Sequence, residues 1–479
     1  MGDDDPATLA PATLDPASYD VAVIGAGVVG TAVARLLSHH RLRVALIEAA
    51  PDVGTGTSKA NTAILHTGFD ATPGSTEARL VRRGYQLMRQ LGPTAGIAIE
   101  PTGALLVAWD DEQLAALTSL AAKAAANQYH DTVIIDASEL YDREPHLGPG
   151  ALGALVVPDE HIVCAWTPPV VFAREAMANG ATVLLSAPVT RIDTVDEGHV
   201  VITPKGDVRC RWVVNAAGLR ADEIHRLLGH DSFTVTPRRG ELIVFDKLAR
   251  PLLSHVLLPV PTAVTKGVLV APTVYGNVLL GPTADDVGDK QATESSRGGI
   301  DRLLAAGRRI LPALLDEEVT AIYAGLRAAT ERSDYRIELH AEQRYLCLGG
   351  IRSTGLTASL AIAEEALGLL TGAGLTAEPK PQDEVVAVAM NSLGEIDERP
   401  WQRGGRIVCH CEQVTEAEIR GAFDGPLPAV DLDGLRRRTR ALAGRCQGFY
   451  CGAEASGLAA LGTGRPLTDI LGVTHGAAP

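Results

Sequence analysis

The sequence predicts a chain of mixed class, α/β with α+β: a nucleotide-binding βαβ unit, a region built on an antiparallel sheet, and a small C-terminal unit organised by cysteines. Three observations predict it. Near the start, YDVAVIGAGVVGTAVARLLSHHRLRVALIEA reads strand, glycine turn, helix, strand. Between positions 232 and 290, ELIVFD and GVLVAPTVYGNVLLGPT alternate as strands do. Four of the seven cysteines lie beyond position 408, in VCHCEQVTE and GRCQGFYCG.

A chain of 479 residues exceeds one hydrophobic core, so two or three domains are expected. Apolar residues are 46% and charged residues 21%, the balance of a soluble globular protein. The longest apolar runs, such as VVNAAGL and ALLVAW, fall well short of the roughly 20 residues that span a bilayer. The opening MGDDDPATLAPATLDPAS is acidic and lacks the basic and apolar segments of a signal peptide. Residues 1–18 read as a disordered leader, and the chain as cytoplasmic, with room for association at the inner membrane face through a partner. A net charge of −15 argues against nucleic-acid binding. RRRTR at 436–440 is a local exception and reads as a solvated helix end. In a reducing compartment, grouped cysteines point to metal or redox use rather than disulfides.

In the first element, VAVIG is an apolar run of the kind buried in a parallel sheet, a helix follows over 28–39, and RVALIE is the next strand. Gly25, Gly27 and Gly30 give the GxGxxG spacing. The first permits the tight turn, the second lets a pyrophosphate approach the backbone, and the third lets helix and strand pack closely. Helix-start amides and the helix dipole favour phosphate there. Glu48 closes the second strand, where a carboxylate accepts hydrogen bonds from a ribose diol. An ordinary tight βα turn is the bland alternative, and nothing in this stretch separates FAD from NAD. A second αβ passage, VVFAREAMANGATVLLSAPVTRI, leads to RWVVNAAG, and GLTASLAIAEEALGLLTGAG reads as a late helix. Residues 375–404, rich in Pro, Asp, Glu and Gly, read as a linker.

Downstream of Glu48, GTGTSKANTAILHTGFDATPGSTEARL (54–80) resembles the flavin-proximal segment of the D-amino-acid-oxidase-like FAD superfamily. Its N-[ST]-x-x-[IL]-H-x-G pattern is similar to that of glycerol-3-phosphate and 2-hydroxyglutarate dehydrogenases. NAAGLRADEI, TPRRGELIVFD, LLGPTADD, AGLRAAT and GGIRSTGLTAS add to the likeness. LRRRTRALAGRCQGFYC resembles the C-terminal domain of anaerobic glycerol-3-phosphate dehydrogenase catalytic subunits. The resemblance implies a split Rossmann-like FAD domain (19–80, 150–231 and 325–374), an antiparallel-sheet substrate domain (81–149 and 232–324) and a C-terminal domain (405–479). It places Gly25, Gly27, Gly30 and Glu48 on the ADP half and Thr57, Ser58 and Asn61 along the pyrophosphate and flavin. It also places Val189 over the adenine, Ala217 and Gly218 in the nucleotide cleft, and Gly350, Ile351 and Thr357 at the flavin's pyrimidine end. The chain departs from the pattern twice. A GGK-type turn that binds substrate phosphate reads Gly349-Gly350-Ile351-Arg352 here, and a frequent VHGN reads Val274-Tyr275-Gly276-Asn277.

Oxidising a secondary alcohol needs a hydride acceptor, which the flavin supplies, and a base for the hydroxyl proton. His66, in LHTG, is the candidate base; packing against the flavin and a covalent flavin link are its other readings. A small anionic substrate calls for a guanidinium, and Arg327 and Arg352 are the candidates against the ordinary reading of surface arginines. Arg238 and Arg239 read as structural, and His255 and Lys266 as packing or solvent-exposed. The resemblance implies sn-glycerol 3-phosphate as substrate and dihydroxyacetone phosphate as product. A 2-hydroxy acid such as 2-hydroxyglutarate, or an amine of sarcosine or opine type, is the alternative, and a redox relay without turnover is a different class.

Cys409 and Cys411 form C-x-C, and Cys446 and Cys451 form C-x4-C. Four thiolates suit zinc or an iron–sulfur cluster. The unequal spacings, with a resemblance to bacterioferritin-associated-ferredoxin-like domains, imply a [2Fe-2S] cluster, zinc being the alternative. His410 reads as a neighbour, and Cys164, Cys210 and Cys347 as ordinary buried cysteines. A cluster beyond a flavin implies an electron-acceptor protein or quinone, for which RRRTR offers an acidic partner a docking patch.

Overall fold

The computed structural model describes residues 18–261, 267–394 and 405–472. Most of the expected leader, part of the expected linker and Lys266 lie outside the described residues.

Five strands form a parallel sheet in the order Thr182–Leu184, Val44–Ile47, Tyr19–Ile24, Gly206–Asn215, Tyr345–Gly349. Val21, Val23, Leu46, Val213 and Leu346 are buried, because helices cover one face and an antiparallel meander (Arg191–Val195, Gly198–Thr203) continues the sheet. Helix Val28–Ser38 packs against Thr167–Ala178 and Gly355–Gly372, and Thr76–Ala95 packs on Gly355–Gly372. The close approach has a residue-level cause: a Cβ at Gly30 would stand 1.8 Å from the Gly25 carbonyl oxygen, and Gly25 sits at φ 101°.

The second sheet has nine strands, among them Ala104–Ala108, Gly153–Val157, Thr236–Phe245, Val278–Gly281 and Val319–Ala329. Its pairs are antiparallel except Val256–Pro259 beside Ala104–Ala108. Strand Gly153–Val157 lies in the range expected for the nucleotide domain, yet it pairs in this sheet, and helix Thr76–Ala95 crosses the expected boundary at 80. Alternation marks a strand without saying which sheet receives it. A three-stranded sheet (Ile64–Leu65, His161–Val163, Ile99–Pro101) brings residues 64–66 beside 160–163.

Residues 375–394 run as a strap over the first domain. Arg41 and Lys380 amides bond the Glu378 and His39 carbonyls at 2.8 Å, Val386 exchanges two hydrogen bonds with the Asn179 side chain, and Leu393 is buried. Polar composition suggested a free linker; the partners that hold it are distant in sequence.

The C-terminal unit is a hairpin (Ile407–Cys409, Val414–Thr415) with helices Glu416–Gly421, Leu432–Thr439, Gly452–Thr463 and Leu467–Ile470 around Val408, Ile419, Leu435 and Ala459. Its attachment corrects the reading of RRRTR as a solvated end or docking patch. Arg437, Arg438 and Arg440 are 2%, 5% and 3% exposed. Arg438 grips Asp52 with both terminal nitrogens, at 2.7 and 2.8 Å, and Arg437 bonds the same carboxylate. Burial alone would raise the Asp52 pKa, but the Arg438 and Arg437 guanidiniums hold it below the ordinary value. A basic run reads as surface because burying charge is costly, and its partner here lies almost four hundred residues away.

Asp52→Ala leaves two buried guanidiniums without their carboxylate, so it is expected to cost about 3–5 kcal/mol in urea unfolding and to expose the C-terminal unit to limited proteolysis. Glu364→Ala, which removes the exposed partner of Arg83, serves as control and should change stability by no more than about 1 kcal/mol.

Candidate functional site: a nucleotide crevice joined to a four-cysteine centre

The glycine turn stands at the C-terminal ends of parallel strands, where crevices form in such sheets. Gly27 caps helix Val28–Ser38 without a side-chain cap, and no acidic residue occupies the first turn. Among the described residues the amides of Gly27, Val29 and Gly30 have no acceptor, while Val28 N–H donates to Ser58 Oγ at 2.9 Å. Unpaired amides at the positive end of a helix fit a diphosphate. Glu48 accepts from Ala26 N–H at 2.6 Å and Ala50 N–H at 2.8 Å, and burial pushes its pKa up against those bonds. Val189 and Ala217 pack half-buried on one apolar cluster, and Gly218 turns at φ 54°.

Thr57 and Ser58 lie in a single helical turn, Thr57–Lys59, and Thr57 Oγ1 donates to the Leu326 carbonyl at 2.7 Å. Asn61 closes the turn, donating to Ser58 O at 2.9 Å and accepting from Ala63 N–H at 2.7 Å. Gly350 (φ 63°) and half-buried Ile351 follow strand Tyr345–Gly349. Thr357, fully buried, accepts the His66 N–H at 3.0 Å and so fastens the late helix to the flavin-proximal segment.

His66 Nδ1 lies 2.9 Å from Glu160 Oε2. Glu160 is fully buried, and its other oxygen accepts from the Thr67 N–H at 2.6 Å and hydroxyl at 2.9 Å. A carboxylate that accepts three bonds sets Nδ1 as the protonated nitrogen and leaves Nε2 basic. Nothing in the sequence marked Glu160, because the sheet alone brings it to His66. Arg327, half-buried on strand Val319–Ala329, forms no ion pair among the described residues; its one bond is to Thr283 O at 3.4 Å. Desolvation first, and Arg238 second, lower its pKa, so an arriving anion would relieve it. Arg352 is more open and donates to the Ser333 carbonyl. His66 and Thr357 are joined directly, whereas Arg327 and Arg352 hydrogen-bond to neither.

At the other end, Cys409 and Cys451 are buried and Cys411 and Cys446 half-buried. Cys409 with Cys451, and Cys411 with Cys446, lie near enough that each pair's thiols influence one another's protonation. Amides of Tyr450, Gly448 and Phe449 point at Cys446, and Tyr450 foremost pulls its pKa below the ordinary thiol value. Burial pushes Cys451 up to about 12, while the Leu442 amide and its place as N-cap of Gly452–Thr463 oppose that. Two thiolate pairs in a nest of N–H donors fit a two-iron cluster.

His410 packs on Tyr450 edge-on, beside the centre. His225, His230 and His340 also gather ligand atoms, but both His225 nitrogens already bond Tyr345 and Ser232. Desolvation, then repulsion from His230, takes His225 down to about 4, and its ring stacks on that of His230. Burial pushes Cys210 and Cys347 up to about 12, as inert thiols.

Comparison with known proteins matches residues 20–368 to the family described as FAD dependent oxidoreductase, and residues 407–460 to the BFD-like [2Fe-2S] binding domain. A glycerol 3-phosphate dehydrogenase of Caloramator mitchellensis is 34% identical over 447 residues, covering 92% of this chain and 93% of that protein. The mitochondrial L-2-hydroxyglutarate dehydrogenase of Caenorhabditis elegans is 30% identical but covers 53% of this chain and 60% of its own. Among solved structures, dithionite-reduced L-alpha-glycerophosphate oxidase of Mycoplasma pneumoniae with FAD bound superposes with a TM-score of 0.72 at 29% identity, covering 76% of this chain and 97% of that one.

Cys446→Ser is expected to abolish the cluster's visible absorption and bring iron per chain near zero, while the flavin spectrum persists. Iron retained at the wild-type level would remove Cys446 from the ligand set.

Proposed function

The chain belongs to the FAD dependent oxidoreductase family, and from that premise we propose that it oxidises sn-glycerol 3-phosphate to dihydroxyacetone phosphate and passes the electrons to a quinone or protein acceptor. Its cofactors are FAD and a [2Fe-2S] cluster. The observation that carries the substrate is the full-length likeness to a glycerol 3-phosphate dehydrogenase, C-terminal unit included. The 2-hydroxyglutarate dehydrogenase likeness covers about half of this chain.

The glycine turn and Glu48 would hold FAD and the four cysteines a [2Fe-2S] cluster, which when bound would supply a hydride acceptor and a one-electron carrier. The chain's own residues do the rest. His66 Nε2 takes the hydroxyl proton, and the Glu160 carboxylate holds the ring and stabilises the imidazolium that results. Thr67 holds Glu160, so the base is fixed through two shells. Arg327 receives the phosphate, replacing a long carbonyl bond with a charge-assisted one. Arg352, nearer solvent, stands where the lysine of the GGK turn is missing and supplies a second cation. Gly27, Val29 and Gly30 amides hold the cofactor diphosphate, and Glu48 the ribose. No helix among the described residues is long and apolar enough to cross a membrane. The acceptor is placed at the membrane face or on a soluble partner.

Anaerobic mixing with sn-glycerol 3-phosphate should bleach the flavin; bleaching by 2-hydroxyglutarate alone would transfer the assignment to a 2-hydroxy acid. His66→Gln is expected to lower kcat by about 10²- to 10⁴-fold with the flavin retained. Arg327→Ala should remove about 1.5–3 kcal/mol of charge-assisted binding, read as a rise in KM with a smaller change in kcat.

A further inference from the structure

Arg440 ends helix Leu432–Thr439 in the left-handed region, at φ 69°, a place that glycine fills without strain. Its side chain explains the choice. Nε donates to Glu412 Oε2 at 2.9 Å, and the guanidinium lies 4.0 Å from the Tyr275 ring centroid and 5.5 Å from that of Trp166. Those rings belong to the flavin side of the molecule. Tyr275 Oη is 3.1 Å from Cys164 Sγ, and Trp166 Nε1 donates at 3.2 Å to the carbonyl of Lys59, the neighbour of Ser58. On its other side Arg440 reaches toward the cysteine centre through Glu412. Glu412 follows Cys411 in sequence, and a Cβ at Gly444 would stand 2.3 Å from Cys411 Cβ. The loop that Arg440 opens also carries Leu442, whose amide serves Cys451, and then Cys446 itself.

We propose that Arg440 is a positioning residue for electron transfer: it ties the cysteine centre to the flavin-proximal wall, and its charge makes the cysteine-held cluster easier to reduce. The proposal rests on the reading that these cysteines hold a [2Fe-2S] cluster. One electron arriving there adds one negative charge. A guanidinium shielded from water stabilises that charge, and a shielded carboxylate opposes it. Glu412, fully buried, is the opposing group, and it is shared between Arg440 and Lys247, the latter at 3.2 Å. Removing either partner of the Arg440–Glu412 pair must therefore move the cluster's potential in opposite directions. A role in packing alone gives no such sign.

The test is a redox titration of the holoenzyme, following the reduced cluster by electron paramagnetic resonance, with iron content measured for each protein. Arg440→Gln is expected to lower the cluster's electron affinity about tenfold, which is about 59 mV for one electron. Glu412→Gln should raise it by a comparable factor, and Arg440→Lys should keep most of the wild-type value. Potentials unchanged in both Gln variants, or shifted in the same direction, overturn the proposal. Should Arg440→Gln lose its iron, Glu412→Gln decides: a potential that fails to rise overturns it. Wild-type protein carrying zinc in place of iron would overturn it together with its premise, and the iron content tells the two failures apart.

Discussion

Asp52, just after strand Val44–Ile47, receives two arginines from the C-terminal helix Leu432–Thr439 in a space without solvent. An ion pair so buried gains stability only when every charged group finds its partner, and here the set is extended. Arg437 also bonds Asp433, which Lys59 reaches at 2.8 Å. The network thus begins at the turn after the nucleotide strand, passes through the flavin-proximal turn Thr57–Lys59 and ends on the cysteine-bearing unit. Because the cost of breaking one member exceeds the worth of the pair, the geometry between the two sites is held as a unit. A two-site electron carrier depends on that fixed geometry.

The same constraint explains the interleaving of the chain. The segment 57–66 touches the late helix through Thr357, the second sheet through Leu326 and the short sheet through His161 and Ile162. No contiguous stretch could provide these three walls. Leaving the first sheet twice for the second, and returning each time, lets strands distant in sequence meet at residues 57–66. Gly325, where a Cβ would stand 2.0 Å from the Ala60 carbonyl oxygen, shows how close the second sheet comes.

Within that frame, polarity separates two tasks. At the His66 end a buried carboxylate, itself fixed by Thr67, sets the tautomer of an imidazole, an arrangement for handling a proton. At the cysteine end carboxylate pairing is replaced by amide donors around sulfur, an arrangement for holding charge with little reorganisation. Between them lie Cys164, Tyr275, Arg440 and Glu412, a polar seam through the junction.

The sequence by itself determined what is local. The glycine turn at Gly25–Gly30, the helix that follows, the late helix Gly355–Gly372 and the two cysteine pairs are legible because each depends on spacing within a few residues. His66 and Arg327 are legible as residue types in a pattern. Glu160, Asp52 and Glu412 are not, because a lone acidic residue carries no signal until folding brings a cation to it. For the same reason RRRTR looks like a solvated run: composition records the charge, but only tertiary structure supplies the buried carboxylates that make burial affordable. Strand-to-sheet assignment, as for Gly153–Val157, and the docking of residues 375–394 were likewise decided by pairing beyond the local stretch, since alternation and polarity have no term for a partner on another element.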